Sequence, residues 1–312
     1  MLIEVEQLKG IELSANFNPR ERQYFYKLRD ELEAIVGGVS IEKLDKPTDV
    51  VHARRIRAKL EEILKFVQER RIETDVVLRE LFLNWAREFH LDGWITPEWV
   101  SQNADFYDNK IFIHDDFSFL GKAKDITSLP DNLHCDLGLF LQGSGLKFLP
   151  DGLWVGDSLL LQGSENLEAL SSGLYVGGSL RFTGCPKLKS LPPGLFVGRE
   201  LYVNAATSLV EIPDDLHVGG DFSMKYCSAL KYLPRDLTVG GSLNLQGCTS
   251  LATLNEGLHV GGDLNLGFVI ATDLPKDFFV GGNVSAYSVP PELLAKLQKA
   301  KKQGKILGNI ES

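Results

Sequence analysis

The chain contains little that would direct it to a membrane or to nucleic acid. No stretch of its 312 residues approaches the roughly 18 consecutive apolar residues of a membrane-spanning helix. The N-terminal residues, Met-Leu-Ile-Glu-Val-Glu, carry acids where a secretory signal peptide carries basic residues. The net charge is −9 and neither half of the chain is basic, so the cationic surface of a nucleic-acid-binding protein is missing. We therefore expect no membrane segment and no nucleic-acid partner. We expect a cytoplasmic location, or export without a cleaved signal peptide.

Cysteine is scarce, and the motifs of catalysis and cofactor binding are absent. The four cysteines follow the spacing of the repeat described below and form no CxxC pair, so they do not predict a metal site. They are typical of small buried apolar residues in a reducing compartment. No GxGxxG, GxxxxGK[ST], GxSxG or HExxH pattern occurs. We therefore expect no cofactor, no metal and no catalytic residues. The cysteines are Cys135, Cys185, Cys227 and Cys248.

What the sequence does contain is a repeat. The phrase Leu-x-Val-Gly-Gly-x-Leu-x-Leu-x-x-Cys-x-x-Leu-x-x-Leu-Pro recurs with spacings of 22, 20, 21, 21, 21, 21, 21 and 20 residues between its Val positions. A fixed period of this length is typical of a solenoid, in which each unit buries its apolar side by stacking on its neighbours. The Val positions are Ile113, Cys135, Val155, Val176, Val197, Val218, Val239, Val260 and Val280.

Each coil contains two short alternating segments. In the coil from Val239, Leu243 and Leu245 flank an exposed Asn244, which predicts a strand that buries both leucines. The second segment is Leu-x-Val, and one or two glycines follow its Val. The first of these glycines recurs in seven coils, whereas the second is replaced by Asp157 and Arg199. We infer that the first glycine meets a backbone constraint, either a positive φ or a close approach, and that the second position accepts a side chain.

The phrase Leu-x-Leu-x-x-Cys-x-x-Leu-x-x-Leu-Pro resembles the leucine-rich-repeat family, particularly its short bacterial type, over residues 111–287. The resemblance implies a surface that recognises protein. The inserted Val-Gly-Gly corner departs from the family pattern, because it places a second alternating segment in each coil. The sequence therefore leaves open whether the solenoid curves like a horseshoe or is straighter, like a β-helix.

These observations predict an α+β protein with three regions. Residues 1–110 are expected to form a helical domain, residues 111–289 a leucine-rich-repeat-like solenoid of about nine coils of short parallel strands, and residues 290–312 a capping helix and tail. In the last region Pro290 and Pro291 would start a helix that folds Leu293, Leu294 and Leu297 over the final coil.

Four helix starts are predicted in residues 1–110, at Asn18, Thr48, Thr74 and Thr96. A basic run, Arg54 to Lys59, would be a solvated helix face because acids follow it closely, or a contact for an acidic partner. The third helix would bury Val77, Leu78, Leu81, Trp85 and Phe89 on one face. Five aromatic residues near the junction would pack against the first coil and seal its open end: Trp85, Trp94, Trp99, Phe106 and Tyr107.

The residue between Leu and Val in each coil defines an outward row, here the ring row. Eight of its nine members are aromatic rings or imidazoles, and stacked coils would place one ring above another. Two interpretations stay open: an exposed contact surface, and a self-supporting aromatic ladder. The ring row is Phe112, His134, Trp154, Tyr175, Phe196, His217, Thr238, His259 and Phe279.

A second outward row, the strand row, lies on the Leu-x-Leu segment, which is the concave strand of leucine-rich repeats. Its varied, mostly polar side chains are typical of a recognition surface and equally of any solvated face. The strand row is Phe140, Leu160, Arg181, Tyr202, Ser223, Asn244, Asn265 and Ser285, with Lys225 beside it. The predicted binding residues are Trp154, Tyr175, Phe196, His217, His259, Phe140, Arg181, Tyr202 and Lys225.

The sequence gives little support for an enzyme. His217 and His259 are two coils apart, about 10 Å, which is too far for a shared zinc ion. Asp221 and Asp263 are about 9.6 Å apart, just beyond the carboxylate separation of inverting glycosidases. We therefore predict a non-catalytic module that binds a macromolecular partner, and we expect that partner to be a protein. The alternative is a β-solenoid that binds or cleaves a polysaccharide.

Overall fold

A computed structural model describes residues 58, 59, 62, 65, 75–107, 109–119 and 121–312. The chain divides into two compact units, residues 1–84 with 106–111, and residues 85–105 with 112–312. The helix predicted from Asn18 lies outside the described residues, as do Arg54, Arg55 and Arg57 of the basic run. The last residue of the basic run, Lys59, donates from Nζ to Glu62 Oε2 at 2.7 Å. The predicted helical domain over residues 1–110 stays a prediction, although residues 85–105 belong to the second unit.

The second unit contains a β-solenoid, in which nine Val positions span eight turns. Two ten-stranded sheets run along it, and strands of successive coils pair in parallel. In the first sheet Trp154 pairs with Tyr175, and in the second Leu159 pairs with Leu180. The predicted repeat, solenoid and parallel sheet are therefore confirmed. The second alternating segment of each coil, which sets this chain apart from the leucine-rich-repeat pattern, forms a sheet of its own.

The first sheet carries the ring row and the second sheet carries the strand row. The strands of the first sheet are Ala104–Tyr107, Lys110–Ile113, Leu133–Cys135, Trp154–Val155, Tyr175–Val176, Phe196–Val197, His217–Val218, Thr238–Val239, His259–Val260 and Phe279–Val280. Those of the second sheet are Phe117–Ser118, Leu139–Phe140, Leu159–Leu160, Leu180–Arg181, Leu201–Tyr202, Phe222–Ser223, Leu243–Asn244, Leu264–Asn265, Val284–Ser285 and Ile310–Glu311.

The interior is a set of apolar columns, because each repeat position stacks on its equivalent in the next coil. All nine Val positions are at most 2% exposed, and so are the leucines on both sides of the strand row. Each buried Leu or Val contributes about 1.5–3 kcal/mol through removal from water. A single coil could not bury both its faces, so this gain depends on the array.

The first corner glycine is required because backbones approach closely, and not because of a positive φ. A Cβ at any of the seven glycines would lie 2.1–2.3 Å from a carbonyl oxygen of the preceding coil, as at Gly219 against Gly198. None of the seven has a positive φ. At the second position the backbone is farther away: a Cβ would lie 2.7–3.0 Å from the nearest backbone atom, and often closer to a side-chain tip, such as Asp157 Oδ1 near Gly178. Asp157 also lies 3.6 Å from the Arg199 guanidinium. The second position therefore accommodates side chains, as predicted.

A further corner follows the strand row, eight residues after each Val position, and all its residues have φ between 56° and 80°. We call it the left-handed corner. The last Leu of the repeat phrase, here the return leucine, always precedes the next Val position by six residues. Coil length therefore varies only between the left-handed corner and the return leucine. This variable arc contains six residues in most coils, seven after Gly121 and five after Gly143 and Phe268. The return leucine is Leu129, Leu149, Leu170, Leu191, Ile212, Leu233, Leu254 and Leu274. The left-handed corner is Gly121, Gly143, Gly163, Gly184, Ala205, Tyr226, Gly247, Phe268 and Ser288.

Two tryptophans of the second unit pack on its first coil. The Trp85 ring lies 6.2 Å from Phe117 and 6.0 Å from Phe119, and its Nε1 donates to Ser128 O at 2.9 Å. Trp99 stacks on Phe117 at 5.8 Å. The prediction of a five-member aromatic seal was wrong in part. Trp94 and Tyr107 are exposed, and Phe106 contacts Phe82.

Residues 75–88 are helical, and a short helix follows at Pro97–Asn103. The second begins as predicted, because Thr96 Oγ1 accepts the backbone N–H of Trp99 at 3.1 Å. The predicted face of the first was wrong at Val77 and Leu81, which are 57% and 58% exposed, whereas Phe82 is fully buried. The other three predicted members, Leu78, Trp85 and Phe89, are buried, so the prediction was right for most of this face.

The chain after the last predicted coil forms a helix at Pro291–Lys302, and Leu293 and Leu297 are fully buried. The residues after this helix, predicted as a tail, continue the solenoid. Ile306 bridges Val280, and Ile310–Glu311 pairs in parallel with Val284–Ser285. In the part of the chain that the structure describes, no helix combines the length and the apolar character needed to cross a bilayer.

Candidate functional site

The ring row forms a continuous stack over five coils of the first sheet. From His134 through Trp154, Tyr175 and Phe196 to His217, neighbouring ring centroids are 4.7–5.4 Å apart and their planes differ by 1–13°. Such distances lie in the attractive range for aromatic pairs. The sequence prediction that rings lie one above another is thus met in these coils, with the geometry of a self-supporting ladder.

The stack has defined ends. At the N-terminal side Phe112 is tilted by 53° against His134. Thr238 has no ring and interrupts the row after His217, and beyond it His259 and Phe279 are 6.3 Å apart at 31°. Because the inner rings cover each other's faces, they expose mainly their edges, and the Trp and Tyr side chains are half-buried. The row therefore presents ring edges and polar tips to solvent.

The strand row divides into two halves. Its N-terminal half has large side chains, with the Arg181 guanidinium 4.6 Å from the centre of the Tyr202 ring, a cation–π contact. Its C-terminal half is small and uncharged. There Asn244 Oδ1 accepts the N–H of Gln246 at 3.1 Å, and Asn265 Oδ1 accepts the N–H of Gly267 at 3.0 Å.

The predicted binding residues do not meet in one site. Trp154, Tyr175, Phe196, His217 and His259 lie on the first sheet, whereas Phe140, Arg181 and Tyr202 lie on the second, with Lys225 two residues beyond the end of its strand Phe222–Ser223. Each set forms its own ladder, so the prediction contains two separate candidate surfaces.

The two aspartates of the enzyme alternative hydrogen-bond to the next coil. Asp221 Oδ1 accepts the N–H of Ser242 at 2.7 Å, and Asp263 Oδ1 accepts that of Asn283 at 2.6 Å. Asn283 in turn accepts from Asn309 N at 2.8 Å. These side chains form a corner ladder that satisfies backbone donors between the two sheets. Sequence reasoning missed it, although the recurrence of short acceptors three residues after most Val positions was its signal.

The cysteine column also bonds between coils. The thiols of Cys227 and Cys248 each donate to a carbonyl of the preceding coil at 3.1 Å. Burial raises the pKa of Cys185 and Cys227 to about 11 and that of Cys248 to about 12. It also raises the pKa of Cys135, which is fully buried. All four thiols are free.

A histidine outside the predicted sites is held between two carboxylates near the first coil. His114 Nδ1 lies 2.6 Å from Asp136 Oδ2, and Nε2 lies 3.0 Å from Asp105 Oδ2. The hydrogen bond with Asp136 is the main cause of a raised His114 pKa. Partial desolvation opposes it, and Asp105 adds to it. The imidazolium form is therefore favoured here.

A cavity of about 690 Å³ opens on the return side of the last coils. Tyr232, Arg235, Asn255, Glu256 and Asp273 contribute its polar lining. It lies where Asn255 takes the position that proline occupies in most coils. None of the predicted binding residues lines it.

Among the residues that the structure describes, no three metal-binding side chains cluster as a metal site would require. Comparison with protein-family models, with curated proteins and with solved structures found no match to this chain.

Proposed function

We propose that this solenoid is a non-catalytic binding module related to the leucine-rich repeats, and that it recognises a protein through the edge of the ring row. The observation that carries the proposal is the five-ring stack from His134 to His217. Trp and Tyr are the residue types that anchor protein interfaces most often, and here they recur on adjacent coils of one rigid sheet.

The stack supports binding because it pre-organises the anchors. Ordering side chains costs about 0.5–1.5 kcal/mol each when a complex forms. Each central ring is already fixed between two neighbours at 4.7–5.4 Å. Much of this ordering therefore takes place when the chain folds, and not when the complex forms. The ladder and the contact surface are then two properties of the same row.

The hydrogen bonds of the corner ladder support the non-catalytic part of the proposal. Asp221 and Asp263 are engaged by backbone donors of the next coil, which fixes their position in a structural role. The four buried thiols support a reducing, cytoplasmic setting.

The test separates ring stacking from the polar ring tips. Trp154→Phe with Tyr175→Phe retains two stacked rings but removes the indole N–H and the phenol O–H. Wild type and variant are immobilised, and captured proteins from the source organism are quantified by mass spectrometry. A captured protein is then purified, and its affinity for both forms is measured directly. We expect at least tenfold weaker binding with an unchanged melting temperature.

The matched control is Tyr202→Ala, which removes a ring from the second sheet. It should leave capture by the ring row intact. Equal binding by wild type and the Trp154→Phe, Tyr175→Phe variant would contradict the proposal. Absence of any protein with a measurable direct affinity would contradict it as well.

A further inference from the structure

The left-handed corner carries two aromatic residues at positions that suit glycine. Tyr226 has a φ of 61° and Phe268 a φ of 65°, in a column where most members are glycine. A bulky side chain in this region of φ costs stability, because its Cβ approaches the backbone. Both side chains are nevertheless largely exposed, at 56% and 49%, so burial does not compensate for the strain.

These rings are arranged differently from those of the ring row. In the part of the chain that the structure describes, neither Tyr226 nor Phe268 stacks on another ring. Between them lies Gly247, where a Cβ would be 2.5 Å from Tyr226 Cδ1. The glycine thus makes room for the tyrosine ring. The two aromatics are two coils apart, about 10 Å, and Tyr287, 50% exposed, lies in the coil after Phe268.

The surface beside these rings is polar. It includes Lys225, which precedes Tyr226, and Glu311, whose Oε2 accepts from the Tyr287 hydroxyl at 3.3 Å. The adjoining C-terminal half of the strand row contains Ser223, Asn244, Asn265 and Ser285. Both asparagines use Oδ1 to accept a backbone N–H, and among the described residues their Nδ2 groups have no partner. The strand-row members here offer no aliphatic side chain for the apolar core of a protein interface. The chemistry of this face is instead a row of amide and hydroxyl groups flanked by three aromatic side chains that are about half exposed.

We propose that this corner, formed by Tyr226, Phe268, Tyr287 and the adjacent asparagines, binds a neutral, extended glycan chain. Pyranose C–H faces pack on free aromatic faces, and the amides donate to and accept from sugar hydroxyls. The separation of Tyr226 and Phe268 is comparable to the length of a disaccharide unit, so alternate sugars meet successive rings. This site is distinct from the ring row, which lies on the first sheet, and it adds a second ligand class to the proposed function.

The corner offers a test in which loss of the rings is not expected to unfold the protein. Tyr226→Gly with Phe268→Gly restores the residue type most common in the column, so the melting temperature should stay the same or rise. The probes are four neutral soluble polysaccharides: mixed-linkage β-glucan, xyloglucan, galactomannan and dextran. Retardation in affinity gel electrophoresis gives the dissociation constants. We expect wild type to bind at least one probe, and the double glycine variant to bind it at least tenfold more weakly.

Two controls complete the experiment. Tyr226→Phe with Phe268→Tyr retains both rings and should bind within about threefold of wild type. Tyr232→Ala removes an exposed aromatic residue from the return side and should bind as wild type does. The double glycine variant should still capture the protein partner of the ring row, so failure of one proposal is distinguishable from failure of the other.

Four results would overturn the glycan site. In the first, wild type is retarded by none of the four probes. In the second, the double glycine variant binds as tightly as wild type. In the third, that variant melts at a lower temperature, which would mean that the rings serve folding. In the fourth, it loses the captured protein, which would make a protein the occupant.

Discussion

His114 and Asp136 are joined by a hydrogen bond of 2.6 Å between Nδ1 and Oδ2, and Asp105 bonds the other ring nitrogen at 3.0 Å. His114 thereby connects the residues just before the solenoid to its second coil. The hydrogen bond with Asp136 is the main reason why the pKa of His114 is raised above 6.5.

This pKa shift predicts a pH-dependent stability. Because the folded pKa lies above the unfolded value, the stabilisation is fully present below about pH 6.5 and is lost as the pH rises through the folded pKa. Unfolding by urea should show wild type more stable than His114→Gln at pH 5.5, with a smaller difference at pH 8.5. Asp136→Asn retains an acceptor oxygen but removes the carboxylate charge that favours the imidazolium, so it should show the same change. A difference that grows with pH would refute this account.

The two corner glycines should differ in their tolerance of a methyl group. Gly219→Ala places a Cβ about 2.2 Å from the Gly198 carbonyl oxygen, so the backbones must separate. We expect a loss of about 1–3 kcal/mol or more in the free energy of unfolding. Gly220→Ala is the adjacent control, since its nearest contact is 3.0 Å and Arg199 occupies the equivalent position of the preceding coil. It should lose less than half as much, as measured by chemical denaturation.

The cysteines should be unreactive in the folded protein. Their pKa values are raised by burial, to about 11 for Cys185 and Cys227 and about 12 for Cys248, so thiolate is scarce at pH 8. We expect iodoacetamide to label none of the four thiols in native buffer and all four in denaturant, as counted by intact-mass spectrometry. Rapid native labelling of any of them would show that its coil opens.

The corner ladder predicts different effects of two substitutions at Asp263. Asp263→Ala removes the acceptor of the Asn283 N–H and should cost about 0.5–1.5 kcal/mol. Asp263→Asn retains an oxygen acceptor and should lie close to wild type in thermal unfolding. Equal losses for both variants would assign the effect to charge.

The same variants address the enzyme alternative. Asp221→Asn with Asp263→Asn should leave stability almost unchanged, because each side chain retains its acceptor oxygen. In a screen for polysaccharide cleavage, we expect no products from wild type or variant. Products from wild type that disappear in the stable double variant would establish a catalytic role and refute the non-catalytic proposal.

Much of the solenoid could be predicted from the sequence because the period places equivalent residues above one another. Trp154, Tyr175 and Phe196 stack because each occupies the same position of consecutive coils. The last coil was missed because a helix separates Ile306 from Val280 by 26 residues and hides the period. Its signal was present in Ile306, Gly308 and Ile310, which repeat the spacing of Val280, Gly282 and Val284.

Other features depend on geometry that the pattern leaves open. The glycines after Val fitted both a positive φ and a close approach, and only the distance from Gly219 to Gly198 distinguishes the two. The glycines at the equivalent position of five coils were the sign that Tyr226 occupies a left-handed conformation, and a tyrosine does not itself favour that region. Side-chain bonds between coils, such as Asp221 to Ser242, require the vertical alignment itself.

The variable arc determines where this protein can change its size. Insertions and deletions of one residue are absorbed between the left-handed corner and the return leucine, where the 22-residue coil houses the short 3₁₀ turn Ala123–Asp125. Both sheets and the glycine corner keep a constant length around it. Extra residues inserted into one coil would therefore protrude from one side of the solenoid and leave the following coils in register. New loops could accumulate there without disturbing the ring row or the corner ladder.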